Sequence, residues 1–187
     1  QVEGGINNPK AFREFVADIV IRRERIEVMP ELPVISRNKL VCEVPDYARK
    51  AYKVEEDNLI TKYNDFVLDG KEDSFEAHQA MMQSLIIMRQ ILGIAKVPTT
   101  VEFVSEFLEE TDRKMVVFVH HKKCGELISE QLATYCRTEH LPQPLVLTAD
   151  LSSEERFAVQ EKFNSNSHRL LIASTLASGE GINLQTC

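Results

Sequence analysis

A short segment near the end of the chain, STLASGEGIN (residues 174–183), combines hydroxyl-bearing residues with glycines. Gly179 and Gly181 allow a tight turn and let a ligand approach the backbone without meeting a Cβ atom. Ser174 and Thr175 add hydroxyl donors to the exposed backbone amides of such a turn. These donors suit phosphate oxygens, either of a nucleotide or of a nucleic-acid backbone. An ordinary turn without a ligand is the alternative explanation for the two glycines.

A second candidate segment, HHKK (residues 120–123), follows an apolar run. Lys122 and Lys123 lie where a helix is predicted to begin, and positive charge there opposes the helix dipole. We interpret this unfavourable placement of two lysines as a sign that they face phosphate. The alternative is that they lie on an ordinary solvated surface. His120 and His121 are neighbours at the end of a predicted strand, so their side chains should point in opposite directions and not share a metal ion.

The chain lacks the patterns of a complete catalytic site. It contains no P-loop (G-x-x-x-x-G-K-[ST]), no acidic D-E-x-H segment for Mg²⁺ and no G-x-S-x-G nucleophile elbow. No further His or Cys lies at ligand spacing from the two adjacent histidines. We therefore predict no catalytic residue and no metal site in this chain. If its fold is that of an ATPase, the chain holds only part of one.

Short apolar runs alternate with amphipathic segments in the second half of the chain. MVVFV (115–119), PLVL (144–147) and RLLIAS (169–174) are predicted strands, and the first is apolar enough to be covered on both faces. SSEE (152–155) fits the S-x-x-E capping box of a helix that runs through Phe163. This alternation predicts βαβ units and a parallel sheet, and hence an α/β fold. In such sheets ligands bind at the carboxyl ends of the strands, where both candidate segments lie.

The first half is predicted to be mainly helical. Apolar spacing from Phe12 to Ile19 indicates a helix that ends at Pro30 and Pro33. KLVCEV (39–44) alternates and is rich in β-formers, so we predict a strand there. Three further helices are predicted. The first runs from Asp46 to about Leu68. The second begins at a DSFE capping box (73–76), runs to about Leu92 and is predicted to be buried, and the third carries Val101, Val104 and Leu108.

Composition limits the class of protein. Apolar residues make up 43% of the 187 residues and charged residues 27%, which is typical of a globular chain. No apolar run approaches the ~20 residues of a membrane span, and the first residues lack the pattern of a secretory signal, so we expect no membrane partner. Four cysteines without a C-x-x-C pair favour reduced thiols and an intracellular location. The net charge of −7 argues against a surface that binds nucleic acid throughout, although not against a local basic track.

Several stretches, taken in order, resemble one family. IRRERIEVMPELP, KLVCEVPDYARKAY, MVVFVHHKKCGELISEQL, SSEERFAVQEKF and RLLIASTLASGEGINLQTC have the order and spacing of the Swi/Snf-type DNA-translocating ATPases of helicase superfamily two. The resemblance covers residues from about 12 to 187 and is to the second RecA-like lobe. The stretches RQILGIAK and VFVHHK resemble the annealing-helicase-like subgroup most.

The resemblance implies roles for particular residues. MVVFVHHKK corresponds to helicase motif IV and ASTLASGEGINL to motif V, which in the family lies between the DNA backbone and the nucleotide cleft. The implied DNA-binding residues are His121, Lys122, Ser174 and Thr175. The implied nucleotide-binding residues are Gly179, Gly181 and Asn183. The resemblance also implies ATP and Mg²⁺ as cofactors of the complete enzyme, with none bound tightly by this chain alone.

Two departures from the family qualify these roles. Ala149, Asp150 and Leu151 stand where the family usually has Gly-Ser-Thr, so no DNA contact is transferred to them. The core strand and motif VI that follow motif V in the family are absent, as is the first lobe. We therefore expect a fragment, with a linker and helical arm over residues 1–38 and a second RecA-like lobe over residues 39–187 whose sheet is incomplete after motif V.

The predicted function is that of the C-terminal lobe of an ATP-dependent translocase or remodeller of double-stranded DNA, inactive as an ATPase by itself. Expected partners are double-stranded or branched DNA and the missing first lobe. The expected location is the nucleus in a eukaryote and the cytoplasm in a bacterium or virus. A non-catalytic RecA-like interaction module is one alternative, which the −7 charge favours. An RNA helicase lobe is another, although the long helical segment of residues 46–112 is unlike those compact lobes.

Overall fold

The computed structural model describes most of the chain, namely residues 8–21, 23, 25–29, 35–178, 182–184 and 186–187. The chain divides into two compact units, Gln1–Val41 and Cys42–Cys187.

Two short helices form the described part of the first unit. Helix α1 spans Pro9–Val16 and helix α2 spans Arg25–Val28. The single helix predicted for this segment is therefore wrong. Helix α1 ends before the β-branched run of residues 19–21, and β-branched side chains disfavour helix because they lose rotamer freedom there. The two prolines that were predicted to end the helix, Pro30 and Pro33, lie outside the described residues.

Three helices open the second unit, namely α3 (Asp46–Leu68), α4 (Phe75–Ala95) and α5 (Val97–Glu110). Helices α3 and α4 pack along each other as a hairpin, and Gly70 supplies the left-handed backbone of their connection, with φ of 63°. Helix α3 has its predicted bounds. The Ser74 side chain caps α4 by accepting a hydrogen bond from Ala77 N at 3.2 Å, so the cap lies one residue later than predicted.

Two predictions for this unit are wrong. KLVCEV forms no strand, because residues 35–45 have no regular secondary structure and Pro45 caps α3. Alternating side chains suffice for a strand only where a partner strand is available. Helix α4 is also not buried all round, since Phe75, Met82 and Ile86 are exposed.

The rest of the second unit alternates strands and helices, in the order β1 (Met115–Val119), α6 (Lys122–Thr138), β2 (Leu145–Leu147), α7 (Ser153–Asn164), β3 (Leu170–Ser174) and the short α8 (Thr175–Ser178). The described strands form a parallel three-stranded sheet in the order β1–β3–β2. Val117 of β1 and Val146 of β2 both lie opposite Ile172 of β3. The predicted α/β class and βαβ units are confirmed.

Strand β3 lies in the centre of the described sheet and is buried on both faces. Leu170 and Ile172 pack against α5 and α6 on one face, and Leu171 packs with Phe163 of α7 on the other. Full burial of such a side chain stabilises the fold by about 1.5–3 kcal/mol. Strand β1 lies at the edge, where Phe118 is 56% exposed, so the prediction that this strand is covered on both faces is wrong for that residue.

The capping box of α7 forms as predicted. Glu155 N donates to Ser152 Oγ at 3.2 Å, and Ser152 N donates to Glu155 Oε2 at 2.8 Å. The hydrogen bond from the Ser152 backbone, followed by the one with its side chain, holds the pKa of Glu155 below its ordinary value. The box starts α7 directly after the loop that leaves β2.

The last described residues return to the other end of α7. Lys114 Nζ donates to the Phe163 carbonyl oxygen and, at 2.7 Å, to Thr186 Oγ1. Asn164 Nδ2 donates to the Asn183 carbonyl oxygen at 3.0 Å. These contacts fasten the chain end to the side of the sheet where the strands begin.

No single described helix is both long and apolar enough to cross a membrane, and α4 and α5 pass that test only as a pair bent by 43°.

Candidate nucleic-acid interface

The carboxyl ends of the described strands bring three loops to one edge of the sheet. Parallel pairing sets Val119 of β1 beside Ser174 of β3, so the residues that follow them are neighbours. His120 Nδ1 lies 3.2 Å from Thr175 Oγ1, and this contact joins the loop after β1 to the start of α8. The sheet thus brings the HHKK segment and the STLASGEGIN segment together.

Lys122 of the first loop pairs with Asp150 of the loop after β2. The distance between Lys122 Nζ and Asp150 Oδ2 is 2.5 Å, and the two side chains are 70% and 67% exposed. The hydrogen bond with Asp150, and then its charge, raise the pKa of Lys122 above its ordinary value, so the ammonium stays protonated at neutral pH. Sequence reasoning assigned Lys122 to phosphate and transferred no DNA contact to Asp150, because Asp150 lies where the family usually has Gly-Ser-Thr. The contact itself has no local signal in the sequence, since the two residues are 28 positions apart.

The ring of His121 lies against α4 rather than beside Thr175. The ring centres of His120 and His121 are 5.0 Å apart, with the planes at 79° to each other. His121 Cδ2 lies 3.6 Å from the position that a Cβ on Gly93 of α4 would take. Burial, and then the charges of His120 and Arg89, lower the pKa of His121. The histidine that meets Thr175 is therefore His120, which the comparison of motifs did not single out.

A cavity of about 570 Å³ lies between α6 and the carboxyl ends of the strands. Its lining includes Lys122, Asp150 and Ser174, together with apolar side chains from all three described strands. Two predicted site residues, Lys122 and Ser174, therefore share one concave surface with an acidic residue that was not assigned. In the described part of the chain, no group of three or more His, Cys, Asp or Glu side chains is arranged to hold a metal ion.

The segment after β3 is only partly described. Ser174 ends the strand and Thr175 begins α8, whose turn is closed by a hydrogen bond from Ser178 Oγ to the Ser174 carbonyl oxygen. Gly179 and Gly181 lie outside the described residues, so their nucleotide contacts stay a prediction. Asn183 is exposed, and the hydrogen bond from Asn164 holds its carbonyl group at the end of α7 that lies away from the capping box. Its predicted contact with nucleotide likewise stays a prediction.

Comparison with known protein sequences points to helicases. The family described as helicase conserved C-terminal domain matches residues 96–187, from the end of α4 to the last residue. The Homo sapiens protein named DNA annealing helicase and endonuclease ZRANB3 is 25% identical over 183 residues, and its Bos taurus counterpart is 24% identical. Each alignment covers 95% of this chain, which spans only 16% of the length of these relatives.

Two solved structures share the fold. The Sulfolobus solfataricus SWI2/SNF2 ATPase C-terminal domain matches with a TM-score of 0.65 and 20% identity, over 78% of this chain and 66% of that chain. The SWI2/SNF2 ATPase core domain of the same organism matches with a TM-score of 0.63 and 20% identity, over 97% of this chain and 40% of that chain. These likenesses show that the chain has the fold of a RecA-like lobe. Residues 96–187 of this lobe match the helicase conserved C-terminal domain.

In this RecA-like lobe, Arg156 holds the loop that contains Asp150. Arg156 Nη2 donates to the Ala149 carbonyl oxygen at 2.9 Å, and Arg156 Nε donates to the Leu151 carbonyl oxygen at 3.0 Å. The sequence showed Arg156 only as a basic residue after an acidic pair. In the lobe it fixes the backbone on both sides of Asp150, the residue that pairs with Lys122.

Proposed function

We propose that this lobe binds the backbone of double-stranded or branched DNA as part of an ATP-dependent translocase. The observation that carries the proposal is the convergence of the strand-end loops, which brings Lys122, Ser174 and Thr175 to one edge of the sheet. Ammonium, hydroxyl and backbone amide groups are the donors that bind phosphate oxygens in protein–DNA contacts. The relatives named as DNA annealing helicases support DNA as the polymer.

The start of α6 adds to this surface. Lys122 and Lys123 are its first two residues, and its first turn contains no acidic residue. The positive end of the helix dipole and the amides of a first turn attract phosphate. The contact with His120 holds the threonine hydroxyl in place. With His120 Nδ1 as the donor of that hydrogen bond, the hydroxyl hydrogen of Thr175 would remain to face the DNA strand, close to a charged donor.

ATP and Mg²⁺ belong to the complete enzyme in this proposal. The chain contains no P-loop and no acidic Mg²⁺ segment, so the first lobe would supply both. This lobe would close on the nucleotide with Gly179, Gly181 and Asn183, and by itself it would not hydrolyse ATP. The protein would act in the nucleus of a eukaryote or in the cytoplasm of a bacterium or virus.

A second candidate function is that of a non-catalytic interaction module. The exposed apolar side chains of Phe75, Met82 and Ile86 on α4 favour it, together with the net charge of −7. Exposed apolar surface of this kind often marks a contact with another protein. A module of that class would bind no DNA even at low salt.

The test of the DNA-binding proposal is a DNA-stimulated ATPase assay of the two-lobe protein with Lys122→Ala. We expect half-maximal stimulation to need a several-fold higher DNA concentration, because a cation is lost and Asp150 is left to repel the phosphates. Lys53→Ala is the matched control, since Lys53 on α3 is also exposed and also pairs with carboxylates. Equal effects of the two substitutions would contradict the assignment of this edge to DNA.

A further inference from the structure

The carboxylate of Asp150 pairs with the ammonium of Lys122, the cation that the proposed function assigns to DNA phosphate. We propose that Asp150 competes with DNA phosphate for Lys122 and so weakens the grip of this lobe on the backbone, an inference that rests on the function proposed above. Lys122 Nζ lies 2.5 Å from Asp150 Oδ2. A carboxylate and a phosphate offer an ammonium the same kind of charged oxygen, and two such anions repel each other at one contact.

The loop after β2 holds Asp150 in place. The two hydrogen bonds from Arg156 fix the carbonyl groups of Ala149 and Leu151, one on each side of Asp150. Ser152, which comes next, is itself fixed as the cap of α7. Because the flanking backbone is already ordered, little further conformational entropy is lost when the Asp150 carboxylate meets Lys122. The competitor is therefore positioned before any DNA arrives.

The surroundings of Lys122 suit an anion that can be exchanged. Lys122 is the first residue of α6, whose dipole attracts negative charge, while its neighbour Lys123 pairs with Glu126 of the same helix at 3.5 Å. Both Lys122 and Asp150 are mostly exposed, so a DNA strand can reach them. An exposed ion pair contributes little to stability by itself, and the phosphates of a polyanion such as DNA can therefore displace Asp150 from Lys122.

The test measures the affinity of the 187-residue chain for a short fluorescent DNA duplex by anisotropy, at several salt concentrations. Asp150→Asn keeps the size and polarity of the side chain and removes its charge. We expect the affinity at low salt to rise about two- to fivefold, the factor that corresponds to an exposed ion pair. The dependence of log affinity on log salt should become steeper by up to roughly 0.9, because Lys122 then neutralises a phosphate in full.

Two further variants separate local competition from a change in net charge. Asp57→Asn removes the same charge from a matched pair on α3, where Lys53 Nζ lies 3.0 Å from Asp57 Oδ1, and should leave the affinity unchanged. The gain in DNA affinity that is expected for Asp150→Asn should disappear when Lys122→Ala is added, since no ammonium then remains to be released from Asp150. Circular dichroism and urea unfolding of each variant check that the fold is kept.

The outcomes distinguish the inference from the function on which it rests. A gain in Asp150→Asn that exceeds the effect of Asp57→Asn and disappears in the double variant supports the competition. DNA binding by the unaltered chain with no gain, or with a loss, in Asp150→Asn overturns the competition and leaves the DNA-binding proposal standing. Absence of DNA binding by the unaltered chain and by every variant at low salt overturns both.

Discussion

His120 Nδ1 lies 3.2 Å from Thr175 Oγ1, 55 residues further along the chain. This contact joins the loop after β1 to the first residue of α8, and thus the two segments that the sequence resemblance matches to helicase motifs IV and V. It forms because parallel pairing sets Val119 beside Ser174, which makes the next residue of each loop a neighbour of the other. The two segments therefore share one surface at the carboxyl edge of the sheet.

Thr175→Ala should reduce DNA-stimulated ATP hydrolysis by the two-lobe protein more than hydrolysis without DNA. The substitution removes one neutral hydrogen bond, which is worth about 0.5–1.5 kcal/mol. His120→Ala should act through the same hydroxyl, so the double variant should lose less than the sum of the single losses. Steady-state ATPase rates at increasing duplex concentration measure these effects. Thr134→Ala on α6 is the control, because the exposed Thr134 hydroxyl bonds only within its own helix, to the Glu130 carbonyl oxygen and the Arg137 side chain. Additive losses for His120 and Thr175 would mean that they act independently.

Gly179→Val should abolish both basal and DNA-stimulated hydrolysis by the same protein. The expectation follows from the motif V correspondence, because a branched side chain would stand where the backbone has to turn and approach the nucleotide. ATPase assays with and without DNA measure the loss, and circular dichroism should show that the fold persists. Intact basal hydrolysis would make this glycine an ordinary turn residue and would remove the loop from the ATP cleft.

The 187-residue chain by itself should hydrolyse no ATP above background, with or without duplex DNA. The phosphate-binding and Mg²⁺-binding segments of such enzymes have no counterpart in this sequence. A steady-state assay decides the point, with the two-lobe protein as the positive control. DNA-stimulated turnover by this chain alone would refute the assignment of ATP binding to a separate lobe.

Gly93→Ala should lower the free energy of unfolding by up to about 2 kcal/mol, because overpacking typically costs about 1–3 kcal/mol and the better helix propensity of alanine offsets about 1 kcal/mol of that cost. A Cβ on Gly93 would lie 2.9 Å from Cys124 Sγ, and Cys124 is buried between α4 and α6. Urea titration measures the change. Adding Cys124→Ala should recover part of the loss in Gly93→Ala, since the sulfur is then absent. A gain of about 1 kcal/mol in Gly93→Ala, the full difference in helix propensity, would show that the Cys124 side chain gives way at no cost.

Ser152→Ala should lower the free energy of unfolding by about 1 kcal/mol, as is typical when an N-cap is lost. It should change the pH dependence of stability only in part. The Ser152 backbone N–H, which is the larger cause of the lowered pKa of Glu155, is kept in alanine, and only the contribution of the Ser152 side chain is lost. A carboxyl group whose pKa is lower in the folded state stabilises the fold above its unfolded pKa, and this contribution is lost as pH falls through the folded pKa.

Unfolding titrations from neutral pH to below pH 4.5 test this expectation. Glu155→Gln should flatten the fall in stability at acid pH, whereas Ser153→Ala, at the first residue of α7 and not a member of the capping pair, should leave it unchanged. A pH profile that Glu155→Gln does not alter would show that this carboxyl group has the same pKa in the folded and unfolded chain.

Local patterns in the sequence determined much of the secondary structure. Helix α3 has its predicted bounds, β1 spans the predicted MVVFV run, and α7 begins at the predicted capping box. These elements depend on interactions within a few residues, namely apolar periodicity and hydrogen bonds between side chain and neighbouring backbone. The order of the same segments along the chain also indicated the helicase family and the loops that form the candidate interface.

Only the tertiary structure decided which side chains meet. The order β1–β3–β2 brings together loops that are distant in sequence, so Lys122 meets Asp150, and His120 rather than His121 meets Thr175. KLVCEV has the periodicity of a strand and yet forms none, since strand formation depends on a partner edge as much as on the residues themselves. Periodicity indicates which side chains can share a face, whereas what lies opposite that face depends on residues far away in the chain.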